Sequence, residues 1–329
     1  MLILNSEEVR KALPMPEVIE AMKQAYASLS SGKANVPLRS RLSIPAHDAV
    51  SIFMPAYVQA DDTEALAIKI VSIFPENPGK GLPLIHAAVL AMDPVTGQMI
   101  ALFEGGSITA IRTGAGSGAA IDLLSRQDSH VAAIFGAGAQ GRTQLEAACA
   151  VRNITKVWVF DADSQRAEAF CKEMSGIGLV PRDVKPAASS REAVIDADII
   201  CAATTAASPV FSDKDIKPGT HISAIGSYTP EMQEIPAETI QRARVYVDSR
   251  SAVLAESGDL IKPIQSGLFT ESHVFAELGE VVLGSKPARQ AKDEITYFKS
   301  VGIAVQDTMA AQLALKNAQI MHLGQNLPF

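Results

Sequence analysis

The stretch "VAAIFGAGAQGRTQLEA" (residues 131–147) decides the fold. An apolar run ends at Phe135, and Gly136, Gly138 and Gly141 then satisfy G-x-G-x-x-G as a helical pattern begins. Such glycines permit a tight turn, and the free N–H groups that open a helix attract a pyrophosphate. A pattern of this kind is weak alone, because glycine-rich turns are common. Here the next apolar run ends in Asp161, about 20 residues beyond the last glycine, where an acid binds a ribose 2′-hydroxyl. That carboxylate repels a 2′-phosphate and favours NAD; Arg166, close behind it, keeps NADP open.

Outward from this turn the chain alternates. "VWVF" (157–160), "DIICAAT" (198–204), "HISAIG" (221–226) and "RVYVDS" (244–249) read as buried strands, with helical patterns at Gln140–Val151 and Gln165–Met174. Strands without polar alternation, joined by helices, indicate an α/β fold with a doubly wound parallel sheet covered on both faces. A strand at Ile295–Phe298 precedes a last helix expected over Gly302–Leu315. Before residue 131 the pattern differs. Ser6 with Glu7 and Glu8 predicts a helix start. Val18, Ile19, Met22, Tyr26 and Leu29 recur at helical spacing, and Gly32 offers a stop. From Leu42 to Leu102 short apolar runs between Pro and Gly predict strands. Small residues from Thr113 to Leu124 predict a helix packed closely on a neighbour.

A chain of 329 residues exceeds what one core usually organises, so two domains are expected. With 47% hydrophobic and 20% charged residues it has an ordinary globular composition. Net charge is −7 and no dense Lys/Arg run occurs, which argues against nucleic acid or an acidic membrane surface as partner. The longest uncharged stretch, Ile199–Ser212, has 14 residues, too few to span a bilayer. Glu7 and Glu8 argue against a basic signal-peptide start. Cys149, Cys171 and Cys201 lie far apart and suit reduced thiols in a cytoplasmic compartment. The histidines form no ligand-like pair, so no metal site is assigned, and His86 in "LPLIHAAVLAMD" reads as a core or pocket residue.

"ALAIKIVSIF" (65–74) holds one lysine, Lys69, in a strand-like apolar run with no acid beside it. It is either an edge lysine with a solvated head or a desolvated lysine of lowered pKa able to exchange a proton with substrate. Arg112, closing "GGSITAIRT" just ahead of the small-residue helix, has the geometry to clamp a carboxylate. Arg39 and Arg41 in "VPLRSRLSIP" are spaced to share one face of a strand, where one completes an anion pocket.

Together with "PLRSRL", "AIKIVSIFPENPGKGLP", "ITAIRTGAG", "FGAGAQG", "AIGSYTPEMQE", "ESGDL", "FAELGEVVLG" and "EITYFKSVGIAVQD", these residues resemble the ornithine cyclodeaminase/μ-crystallin family nearly end to end. The resemblance implies an NAD(P)-dependent homodimer acting on a small-molecule amino acid or cyclic imine. It also implies a Rossmann domain (119–302) inserted into an α+β substrate and dimerisation domain built from both chain ends (1–118 and 303–329). By motif, Lys69 matches the family's active-site lysine and Arg112 its carboxylate-binding arginine. The second such arginine falls in "PLRSRL", where Arg39 is preferred and Arg41 stays open; His86 joins the substrate set. Gly136, Ala137, Gly138, Ala139, Gln140, Gly141 and Asp161 match the cofactor loop and ribose acid. Thr113, Arg166, Ala203, Thr204 and Gly226 complete that set with Ser300, Val301 and Gly302, from the segment that closes over the nicotinamide.

Departures from the family pattern choose among its activities. Where cyclodeaminases carry an aspartate after the "AxGG" strand, this chain has Tyr228, which offers a hydroxyl, and "SIFMP" lacks the glutamate expected before Met54. The alanine dehydrogenase member keeps the aspartate. The resemblance therefore implies reduction of a cyclic ketimine carboxylate, Δ1-pyrroline-2-carboxylate or Δ1-piperideine-2-carboxylate. Ornithine cyclodeaminase, an alanine dehydrogenase-like enzyme and a non-catalytic μ-crystallin-like binding protein are the alternatives.

Overall fold

A computed structural model describes every residue except Asp61, Asp62 and Phe329. It divides into two compact units, Met1–Arg112 with Ile303–Phe329, and Thr113–Gly302.

The second unit is a parallel sheet of eight strands. In spatial order these are Val184–Pro186, Lys156–Phe160, Val131–Phe135, Ile199–Ala202, His221–Ala224, Thr296–Lys299, Arg244–Val247 and Val274–Glu277. Val131–Phe135 and Ile199–Ala202 are buried throughout because helices such as Ala139–Val151 cover the sheet, which explains their lack of alternation, whereas Lys156–Phe160 alternates buried and partly buried residues. Chain order reverses beside Val131–Phe135, whose neighbours are Lys156–Phe160 and Ile199–Ala202.

The first unit holds a mixed sheet in which Ala49–Ala60, Thr63–Ile73, Ile85–Met92 and Met99–Glu104 run antiparallel in succession. Register fixes two kinds of row across it. Met54, Lys69, Val89 and Phe103 lie side by side, all buried. One residue along, Pro55, Ile68, Leu90 and Leu102 form the opposite face and are only partly buried. The buried face is covered by the C-terminal helix Ala304–Met321, which packs against the helix Met15–Ser30.

Several boundaries differ from the sequence reading. The first helix, Ser6–Ala12, is capped by Asn5 rather than Ser6. Asn5 Oδ1 accepts from Glu7 and Glu8 N–H, while the Glu8 carboxylate accepts from Asn5 N–H, a reciprocal capping box. The helix expected from Thr113 begins at Gly105, so Arg112 lies inside it. Its start is set by Glu104, whose carboxylate accepts from Gly106 N at 2.7 Å and Ser107 N at 2.8 Å. Its small residues do pack closely, since a Cβ on Gly114 would lie 2.5 Å from the Thr143 carbonyl oxygen. The last strand and helix run Thr296–Lys299 and Ala304–Met321.

Replacing Asn5 with Ala removes the acceptor of two helix N–H groups. It is expected to lower the stability of the first unit by about 0.5–2 kcal/mol in chemical denaturation.

Candidate active site

Lys69 sits in the buried row of the first sheet, so its head cannot reach water along the strand; it is 2% exposed. The C-terminal helix supplies what the strand lacks. Lys69 Nζ is 2.9 Å from Asp307 Oδ1 and 2.8 Å from Oδ2, and Asp307 is itself 1% exposed. Arg112, equally buried, donates from Nε to the same Oδ1 at 3.0 Å and from a terminal nitrogen to Gln306 Oε1 at 3.0 Å. Gln306 is held by Ile303 N–H on its oxygen and by the Tyr26 hydroxyl on its nitrogen. Two cations thus share one carboxylate. Burial first, and then the Arg112 guanidinium, push the Lys69 ammonium down to about 8; Asp307 opposes this and Arg39 adds to it.

Arg39 is partly buried just ahead of the strand Ser40–Ile44, and its charge is felt at Lys69. Arg41 pairs with Ile52 on that edge strand and is exposed. His86 was expected as a core or pocket residue; it is exposed, and its pairing with Ser72 places it on the sheet face opposite Lys69. Asp307 carries the site's negative charge and was missed as a ligand of Lys69, because nothing local links residues 69 and 307. The available signal was an acid in the otherwise apolar run "IAVQDTMAAQLAL".

In the second unit the glycine turn follows its strand as expected. Gly136 has φ +94° and abuts the Ala203 carbonyl oxygen, which a Cβ would approach to 2.5 Å. A Cβ on Gly141 would strike the Gly136 carbonyl oxygen at 2.1 Å, whereas one on Gly138 meets nothing nearer than the Arg166 guanidinium at 4.0 Å. The outer glycines therefore close the turn, and the middle one leaves room for a group against the helix N-terminus. The helix Ala139–Val151 has no side-chain cap, and Gln140 Oε1 is buried with no partner among the described residues. These features fit a pyrophosphate. Asp161 is positioned by Ala137 N–H at 2.8 Å and Asp163 N–H at 3.0 Å, which fits the ribose hydroxyl.

The remaining predicted cofactor residues lie in the same unit. Thr113 offers its carbonyl to Gln144 Nε2. Ala203 and Thr204 follow the strand Ile199–Ala202, and Gly226 follows His221–Ala224. Ser300, Val301 and Gly302 are tied to Asp248 Oδ2 by the Ser300 hydroxyl at 2.7 Å and by the N–H groups of Val301 and Gly302 at 3.0 and 2.8 Å. Tyr228 is 39% exposed in the loop after Gly226. No group of His, Cys, Asp and Glu among the described residues is arranged to hold a metal ion.

The parallel sheet and its glycine turn define a dinucleotide-binding protein of the α/β class. Residues 1–320 match the ornithine cyclodeaminase/mu-crystallin family, and the chain belongs to it. A Delta(1)-pyrroline-2-carboxylate reductase of Bacillus cereus is 38% identical over 100% of both chains. The ketimine reductase mu-crystallin of Mus musculus is 36% identical over 94% of this chain and 95% of its own. Among solved structures, Thermococcus litoralis Delta(1)-pyrroline-2-carboxylate reductase in complex with NADH and L-proline superposes with TM-score 0.94 at 44% identity, covering 99% of this chain and 100% of that one. An archaeal alanine dehydrogenase dimer with bound NAD gives 0.91 at 30% identity, over 100% and 99%.

The lowered value of Lys69 has a sign. Between about 8 and its ordinary 10.5 the unfolded chain keeps a proton that the folded protein releases, so this group's contribution to stability rises with pH across that window. Below it, the penalty is fully present, about 3 kcal/mol. Lys69→Met is therefore expected to match or exceed wild-type stability at pH 7, because Asp307 keeps Arg112. Asp307→Asn strands two buried cations and is expected to cost about 3–5 kcal/mol, both read by chemical denaturation.

Proposed function

We propose that the protein is an NAD(P)H-dependent reductase of a cyclic ketimine carboxylate, with Δ1-pyrroline-2-carboxylate as substrate and L-proline as product. The observation that carries this reading is the buried pair Lys69 and Arg112 on the single carboxylate of Asp307. Such a site has net positive charge and lacks one anion, which a substrate carboxylate supplies. Its kinship to a reductase with NADH and L-proline at 44% identity supports the choice of ring, as does Tyr228 where a cyclodeaminase aspartate is expected.

Arg112, with Arg39, binds the carboxylate and fixes the imine carbon in place. Gly136–Gly141 and Asp161 hold the dinucleotide, NAD being favoured because Asp161 repels a 2′-phosphate. When bound, the reduced nicotinamide supplies a hydride to the imine carbon. Lys69 delivers a proton to the ring nitrogen, and its value of about 8 leaves a proton that is held at neutral pH yet readily given up. Asp307 keeps the lysine head in place and, once Lys69 has given up its proton, remains paired with the Arg112 guanidinium.

We further read the protein as a cytoplasmic homodimer whose first unit binds substrate and dimerises. The partly buried row Pro55, Ile68, Leu90 and Leu102 is an apolar sheet face of the kind that self-association covers. The three cysteines are unpaired and buried, which suits a reducing compartment.

Purified protein is expected to oxidise NADH with Δ1-pyrroline-2-carboxylate and to fail with pyruvate plus ammonia. Ornithine is expected to give no proline. Lys69→Ala is expected to lower kcat about 10²–10⁴-fold; unchanged kcat and KM would remove Lys69 from the chemistry. Wild-type kcat/KM is expected to fall above pH about 8, where Lys69 loses its proton. Leu90→Lys is expected to shift the mass measured by light scattering from dimer to monomer.

A further inference from the structure

The second unit buries a carboxylate that the glycine turn does not use. Glu234 is 0% exposed and lies between the strand His221–Ala224 and the helix Ala237–Arg242. Its Oε1 accepts from Thr204 N–H at 2.6 Å and the Thr204 hydroxyl at 2.9 Å. Its Oε2 accepts from Gly226 N–H at 2.6 Å and Ser227 N–H at 3.0 Å. Thr204 and Gly226 lie just past the carboxyl ends of two strands that are neighbours in the sheet. One carboxylate therefore grips two loops, one with each oxygen. The fit is close, since a Cβ on Gly226 would fall 2.5 Å from Oε1.

This grip adjoins the glycine turn. Ala203 N–H donates to the Phe135 carbonyl oxygen at 2.9 Å, and a Cβ on Gly136 would lie 3.3 Å from Thr204 Cγ2. Chain order reverses at this point of the sheet, where doubly wound folds bind ligands. Asp161, which suits the adenosine ribose, follows a strand on the other side of Val131–Phe135. The loops held by Glu234 thus belong to the half of the sheet that takes the second nucleotide.

We propose that Glu234 is a positioning residue for the nicotinamide nucleotide, acting through Thr204 and Gly226; this rests on the dinucleotide reading given above. The carboxylate is not replaceable by an amide. All four of its contacts are donors, and a glutamine offers one acceptor oxygen while its NH₂ faces the donors of the other loop. The loss of charge leaves the core ion pair intact. Glu234 and Asp259 surround one lysine, Lys299, whose Nζ is 3.4 Å from Asp259 Oδ2, so removing one acid leaves a balanced pair.

The test is equilibrium binding of NADH and of ADP to the full-length protein. ADP carries the adenosine half alone. Glu234→Gln is expected to weaken NADH at least tenfold and to leave ADP within twofold of wild type. Thr204→Val, which deletes the hydroxyl's bond to Glu234 and the one it accepts from Ala206 N–H and keeps the backbone, is expected to weaken NADH about threefold with ADP unchanged, and it decides the matter should Glu234→Gln not fold. Equal loss of NADH and ADP, or NADH bound as in wild type, overturns the proposal. Wild-type protein that binds no NADH overturns the dinucleotide reading instead.

Discussion

One ion pair organises the first unit. A buried lysine on the central strand of a sheet is tolerable only with a partner, and Asp307 is placed to be that partner by the helix that covers the sheet. The pairing is incomplete by design of charge: Arg112 draws on the same carboxylate, so attraction and repulsion coexist within a few ångströms. Burial strengthens both. Two buried cations on one carboxylate leave a positive charge that no group of this cluster neutralises, at a cost in stability.

The second unit meets the same problem of buried polarity differently. Along the carboxyl ends of its parallel strands, acids serve as acceptors for backbone N–H groups of neighbouring loops. Asp161 ties its own loop to the glycine turn through Ala137. Glu234 ties the loops of two adjacent strands. Asp248, after Arg244–Val247, ties the residues that leave Thr296–Lys299. Each acid is one loop away from what it holds. The edge where a ligand would bind is thereby fixed by side-chain-to-backbone bonds rather than by strand pairing, which ends there.

Much of this was legible in the sequence wherever the signal was local. The glycine turn, its strand and its acid lie within about 30 residues of one another and follow one geometric requirement. Lys69 was conspicuous because it breaks an apolar run. Its partner was not, because pairing across the chain leaves no periodic trace; Asp307 lay in a segment whose resemblance suggested a different duty. Arg112 lies inside its helix rather than just ahead of it because Glu104 caps the glycines at 105 and 106 into a helix start, upstream of the small-residue run. The shift from Ser6 to Asn5 has the same origin. Both residue types cap helices, and only the three-residue spacing from Asn5 to Glu8 distinguishes them. His86 faces away from Lys69 through strand parity, which depends on a register that no short stretch specifies.

The separation of Lys69 from Asp307 also orders events during biosynthesis. Residues 113–302 form one contiguous stretch of chain, whereas the first unit is assembled from two stretches separated by it. The sheet bearing Lys69 is synthesised first, and the helix that covers its inner face follows the whole of that insertion. Asp307 is made 238 residues after the lysine it pairs with, so this charge pairing cannot form until the inserted unit has been synthesised.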